Sequence, residues 1–568
     1  MNCPSRTEDT LEHLVLNQRN SDTTIQNDFN DTANSRVHRR HEASGSSTVE
    51  VVDDRPCSPK LQGSQTEKVP DEEMVAPASG LEGPPSMALA SPPRPFQAFL
   101  TASATACAQE LAKFARFIGP GFLIAVAYID PGNYATDVAA GASYKYSLLF
   151  IVLLSNLFAI LLQSLSIRLG TVTGLNLAEN CREHLPRWLV IILYIFSEVA
   201  IIATDIAEVI GSAIALNLLL KIPLVAGCAI TVADVLFLLI FYRPNGSMSG
   251  LRLFELFVMV LVLGVVICFC IQLSLIKNQT VGEVFRGYLP SSAVVQGQGL
   301  YQSCGILGAT VMPHSLFLGS GVVQSRLREF DLTAGYVDST VVLGSDGGEV
   351  KYRPTIHAIR GCMKYSIIEL ILTLFTFALF VNSAILIVAG ASLSDIANSS
   401  DADLFGIYNL LAQSIAPAAG LIFALALLLS GISAGIICTM AGQMVSEGML
   451  NWSTRPWLRR LITRSISIIP SIIIAGAVGR KGLNQTLNAT QVVLSVILPF
   501  VSAPLIYFTC FNRYMSVRIE QTDEHDSDVA EVVPMRNHFA LSVVSVLVWL
   551  LLAVMNVALL VLIGLGKS

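Results

Sequence analysis

The stretch Phe117-IGPGFLIAVAYI-Asp130-PGN-YATDVAAG is an apolar run broken by a charged, helix-breaking tetrapeptide, Asp130-Pro131-Gly132-Asn133. A carboxylate at membrane depth is expensive and is rarely accidental. Pro and Gly beside it interrupt the helix and free backbone carbonyls that something else must satisfy. A carboxylate, an amide and loose carbonyls gathered at one break have the makings of a cation site.

Outward from this stretch the chain divides in two. Before about Arg94 it is rich in Ser, Asp, Glu, Thr, Asn and Pro and holds no long apolar run, so residues 1–110 read as a disordered cytoplasmic tail. The rest carries the 53% hydrophobic and 14% charged composition as a series of apolar runs long enough to cross a bilayer. Met1 opens onto polar sequence, so no secretory signal peptide is expected. The net charge of -6 says little about partners, and no nucleic-acid partner is indicated. None of the 11 cysteines forms a CxxC pair, so neither a zinc site nor a disulfide framework is expected.

Hydropathy predicts about eleven spans, near 113–137, 144–168, 188–216, 222–242, 251–274, 299–323, 364–390, 404–434, 460–479, 488–512 and 539–565. With a cytoplasmic tail, the inner loops carry most of the basic residues, among them Arg168, Arg182, Arg252, Arg326, Arg360, Arg459 and Arg513. The outer loops carry few, such as Lys145, Lys221 and Lys277, which fits the positive-inside rule. Sequons at Asn278, Asn398, Asn484 and Asn488 then face outward, as a glycoprotein needs; those at Asn245 and Asn451 do not.

A second broken span reads Gly305-ILGATV-Met312-Pro313-His314-SLFLGSG. Spans one and six are corresponding members of two five-span halves. Paired interrupted helices at matching positions point to an inverted-repeat transporter with a midplane site. Prolines also occur in membrane helices as plain kinks, and a methionine alone is usually packing. The breaks in matching spans, together with Asp130, favour a site. Asp130 offers a hard anionic oxygen, Asn133 a neutral one and Met312 a soft thioether. Alkali and alkaline-earth ions gain little from sulfur, so the mixture points to a transition metal.

The third span reads Ser197-Glu198-VAIIAT-Asp205-IA-Glu208. Helical spacing puts Glu198, Asp205 and Glu208 on one face, too costly for lipid exposure. They suit a wet proton route, or an ion-pair network with Arg459 and Arg460. Asp234, Glu255, Glu369 and Asn382 are weaker candidates and stay outside the expected site.

Asp130-Pro131-Gly132-Asn133 and Met312-Pro313-His314 resemble the two signature motifs of the Nramp family of proton-coupled divalent metal transporters. The resemblance runs from about Gly119 to about Met515, and Leu316-FLGSG is similar to the fungal manganese and iron branch. It implies an all-α polytopic protein with the LeuT-type 5+5 inverted repeat and broken helices 1 and 6. The core would span 111–515, followed by a cytoplasmic loop and an eleventh helix over 516–568. It implies metal ligands at Asp130, Asn133, Met312, Gln491 and the carbonyls of Ala127 and Ala309. It also implies a proton route through Asp130, His314, Glu198, Asp205 and Glu208 toward Arg459 and Arg460. Many members carry a second histidine where this chain has Gly319.

The implied function is proton-coupled import of Mn2+, Fe2+ or related ions by alternating access, in the plasma membrane or an endosomal or vacuolar one. The metal and the protons are substrates; no cofactor and no enzyme activity are expected. Kinases (at Ser58-Pro59 and Ser91-Pro92) and ubiquitin-ligase adaptors are the candidate partners of the tail, which holds no Pro-Pro-x-Tyr for direct ligase recruitment. Two alternatives stay open. A LeuT-fold symporter for an organic solute would set Asp130 against a carboxylate substrate. A metal sensor built on the same membrane domain would be expected to add a folded domain after the spans.

Overall fold

A computed structural model describes residues 118–231, 248–276, 279–337, 352–393, 403–414, 416–451, 456–477, 479–519 and 531–566. The N-terminal unit, Met1–Ala90, lies outside these residues, so the description concerns Ser91–Ser568. The expected disordered tail, Asp234 and the sequons at Asn245, Asn278 and Asn398 also lie outside them.

The first span is two helices, α1 (Pro120–Val126) and α2 (Pro131–Tyr144). Pro stands at the first helical position of each, where its missing N–H costs nothing. Next come α3 (Leu149–Thr173), the short α4 (Leu177–His184), α5 (Arg187–Leu220), a helical start over 224–231, α6 (Met248–Leu275) and α7 (Val281–Gly287). The sixth span is again two helices, α8 (Gly297–Thr310) and α9 (Pro313–Ala334). The seventh joins α10 (Ile356–Thr373) to α11 (Leu379–Leu393) through a π turn over Leu374–Ala378. α12 (Leu404–Ser414), α13 (Pro417–Leu450), α14 (Pro456–Ala477), α15 (Gly479–Cys510) and α16 (Phe539–Gly564) complete the helices. Among the described residues, 8 helical stretches are long and apolar enough to cross a membrane.

Three expectations change. The apolar run 404–434 is not one span: Pro417 opens a new helix, so α12 is separate and α13 runs for 34 residues. The connection expected between spans six and seven, 324–363, is shorter, because α9 continues to Ala334 and α10 begins at Ile356. The segment after Met515 holds an antiparallel hairpin, β1 (Ser516–Ile519) against β2 (Glu531–Pro534), with Val517 opposite Val533.

The core of the bundle surrounds α2. Pro131 packs where Gly211 of α5 leaves room for it, and Gly431 of α13 does the same for Ser212 of α5, small-residue contacts typical of membrane helices. Tyr134, also fully buried, sits between Phe269 of α6 and Phe423 of α13, with ring centroids 5.6 and 5.8 Å away. The breaks in the first and sixth spans therefore lie inside the bundle, with Asp130, Asn133 and Met312 all fully buried.

Candidate functional site

Asp130 caps the N-terminus of α2. Its carboxylate accepts from Gly132 N and Asn133 N, both at 3.0 Å, which satisfies two orphan amides of the helix start. Capping is a structural role worth about 1 kcal/mol. It does not account for the other groups that converge here. The side-chain nitrogen of Asn133 lies 2.7 Å from Asp130 Oδ1, 3.2 Å from Tyr128 O and 3.1 Å from Ala309 O. Three oxygens, one of them charged and one from the sixth span, thus point at a single centre. Thr310 Oγ1 donates to Asn133 Oδ1 at 3.4 Å and holds the amide from behind.

Two carbonyls freed at the first break also accept from neighbouring helices. Asn382 Nδ2 donates to Tyr128 O at 3.0 Å, and Ser430 Oγ to Ile129 O at 2.7 Å. Ala127, expected to offer its carbonyl, ends α1 and is buried. Met312 caps α9 without a side-chain bond, and its carbonyl accepts from Ser315 Oγ at 2.7 Å. Gln491 of α15 is fully buried beside the break: a Cβ on Gly132 would run into its side-chain amide, so only glycine permits this approach. Among the described residues its Oε1 has no hydrogen-bond partner. Asp130, Asn133, Ala309 and Gln491 are therefore brought together.

On the acidic side, Asp205 and Glu208 of α5 are both buried, and Cys438 of α13 joins them, with one ligand atom of each within 4.8 Å of the others. Glu198 stands on the same helix, half-buried, and does not belong to that group. His314 is buried, and its Nδ1 lies 3.4 Å from Oγ1 of Thr204, the residue before Asp205. The sixth-span histidine is thereby linked to the acidic helix. Arg459 and Arg460 fall in α14, but their side chains lie outside the described ones.

The position of Gly319 has a clear structural occupant. Gln163 of α3 donates to Tyr128 Oη and Ser315 Oγ, both at 2.9 Å, and these two hydroxyls lie 3.1 Å apart. A Cβ on Gly319 would collide with Gln163 Oε1. Gln163 therefore fills the space a histidine side chain would need.

Sequence reasoning kept outside the site several groups that the fold places at the first break or at the start of α1. Asn382 is one, as described. Glu369 is another: its Oε1 accepts from Gly119 N at 2.6 Å and Gly121 N at 3.0 Å, closing the N-terminus of α1. Glu255 pairs with Arg326 at 2.5 Å, both buried, and Glu329 binds Arg326 at 3.3 Å and Arg252 at 3.1 Å. Apolar flanks hid Asn382 and Glu369. The signal that could have found them is their cost, since an unexplained polar side chain inside a span is a site hypothesis by default.

Comparison with known proteins adds an independent line. The family described as natural resistance-associated macrophage protein-like (Nramp) matches residues 121–521. The manganese transporter pdt1 of Schizosaccharomyces pombe is 53% identical over 463 residues, covering 81% of this chain and 88% of its own. The iron transporter SMF3 of Saccharomyces cerevisiae is 52% identical over 465 residues, covering 79% and 96%. Among solved structures, the manganese transporter of Eremococcus coleocola superposes with a TM-score of 0.64 at 32% identity, covering 79% of this chain and 87% of that one. With spans one and six both broken, the expected all-helical polytopic fold is borne out.

Proposed function

The chain belongs to the Nramp family, and from that premise we propose that it moves divalent transition-metal ions across a membrane by alternating access, with Mn2+ as first cargo and Fe2+ beside it. The observation that carries the site is the position of Asn133 Nδ2. It lies among Asp130 Oδ1, Tyr128 O and Ala309 O, at 2.7 to 3.2 Å, where a cation would be coordinated. A half-turn of the terminal amide exchanges this nitrogen for Oδ1 and converts a donor filling the centre into a fourth oxygen ligand. Gln491 Oε1, without a partner among the described residues, adds a fifth. Met312 at the facing break supplies the thioether that favours Mn2+ and Fe2+ over Ca2+.

One carboxylate does not neutralise a divalent ion, so binding is modest and reversible, as a transport cycle requires. Metal and proton compete for Asp130. In our reading its proton leaves by way of His314 and Thr204 toward Asp205 and Glu208, a route supported by the 3.4 Å contact between His314 and Thr204. An inward proton gradient then favours inward metal movement. The two relatives carry manganese and iron in their names, and the same oxygen and sulfur ligands accept both ions. We place the N-terminus in the cytoplasm and the protein in the plasma membrane or an endosomal or vacuolar membrane. The test is uptake into proteoliposomes of Mn2+, Fe2+, Co2+ and Ca2+, with and without a pH gradient. Mn2+ uptake accelerated by an inward proton gradient supports this reading, and uptake indifferent to the gradient overturns the coupling.

A further inference from the structure

Asp137 lies in α2, seven residues beyond Asp130, and is fully buried. Among the described residues, neither of its carboxylate oxygens has a hydrogen-bond partner. Seven helical residues make two turns, so Asp137 stands on the stripe of Asp130, about 10 Å further along the axis. Its neighbours one turn to either side show what this stripe faces. Asn133 reaches Ala309 of α8, and Gly141 packs against Leu386 and Gly390 of α11. Asp137 therefore points into the seam between α8 and α11. Another acceptor lies on the α11 side: Asn382, one turn before Leu386, is fully buried, and its Oδ1 also has no partner among the described residues. A carboxylate buried for structural reasons is normally capped or paired, because an ionised one left alone costs several kcal/mol. The three acceptor oxygens of Asp137 and Asn382 stand without partners among the described residues, while the Asn382 amide nitrogen is taken up by Tyr128 O, and such a set of oxygens suits a cation.

We propose that Asp137, with Asn382, forms a second, transient site for the divalent cation on the path between the breaks and the Lys145 end of span one. This rests on the transport reading above. The ion meets Asp137 when the seam between α8 and α11 opens and passes two turns along α2 to Asp130. In the closed arrangement of this structure both residues are sealed from solvent.

The test is the initial rate of Mn2+ uptake by the full chain in proteoliposomes. Asp137→Asn raises KM by about tenfold, the scale on which a focused charge concentrates a cation, and lowers kcat far less. Asp137→Glu, which keeps the charge, restores most of the KM. An unchanged KM in Asp137→Asn, or an equal rise in Asp137→Glu, overturns the proposal. Should Asp137→Asn fail to reconstitute, Mn2+ titration of the Asp130→Ala protein decides instead. Weak residual Mn2+ binding there supports the second site, and none overturns it. Failure of the transport reading looks different, since Asp130→Ala would then take up Mn2+ at the wild-type rate.

Discussion

The side-chain nitrogen of Asn133 lies 3.1 Å from the carbonyl oxygen of Ala309, so a single amide ties the break in span one to the break in span six. It also reaches Asp130 Oδ1 at 2.7 Å. The contact that closes the two breaks together is therefore the one a cation must replace. Asn133→Ala removes both the bridge and a ligand. We expect its KM for Mn2+ to rise by at least about tenfold, in line with the loss of a supporting group at a metal site. Initial-rate uptake at a series of Mn2+ concentrations checks this; a KM within twofold of wild type would take Asn133 out of the ligand set.

Met312 tests selectivity. Sulfur adds little to the binding of Ca2+ and more to that of Mn2+ and Fe2+. Met312→Ala should narrow the preference for Mn2+ over Ca2+ in competition uptake while Mn2+ transport persists. Unchanged discrimination would remove the thioether argument.

The two breaks were legible in the sequence because their causes are local. Pro131 and Pro313 are best suited to the first turn of a helix, and Asp130 is a side chain suited to capping one. The partners of the breaks were not legible. Asn382 sits in an otherwise apolar span and shows its purpose only when α11 lies beside Tyr128 O. Glu369 looks like a boundary residue until Gly119 and Gly121, about 250 positions away in sequence, turn their amides toward it. Cys438 reads as a small apolar residue, and only the packing of α13 on α5 sets it beside Asp205 and Glu208. Hydropathy also ran α12 and α13 together, because an apolar average does not register the single Pro417 that separates them.

Gly319 and Gln163 form a complementary pair of sizes. Gly319→His should destabilise the protein by about 1 to 3 kcal/mol, the usual cost of overpacking, because its Cβ meets Gln163 Oε1. Adding Gln163→Ala should recover part of that loss, since residues in contact do not act additively. Midpoints of thermal inactivation for the two single variants and the double variant measure the coupling. Strictly additive midpoints would show that Gln163 does not occupy the histidine's space.

Glu255 and Arg326 form a buried ion pair at 2.5 Å near the start of α1. Removing one charge leaves the other desolvated with less compensation, at a cost of about 3 to 5 kcal/mol. Glu255→Gln should lower the thermal midpoint clearly, whereas Lys145→Gln, which breaks the exposed pair with Glu283 at 3.4 Å, should leave it nearly unchanged. Thermal scans of the purified variants compare the two, and equal effects would contradict this weighting.

The central claim is that one buried carboxylate, Asp130, is where metal and proton meet. The most direct measurement is Mn2+ uptake into proteoliposomes by wild type and Asp130→Ala, each with an inward proton gradient and without one. The account predicts gradient-stimulated uptake in the wild type and none above empty vesicles in Asp130→Ala under either condition. Wild-type uptake by the variant, still stimulated by the gradient, would contradict it.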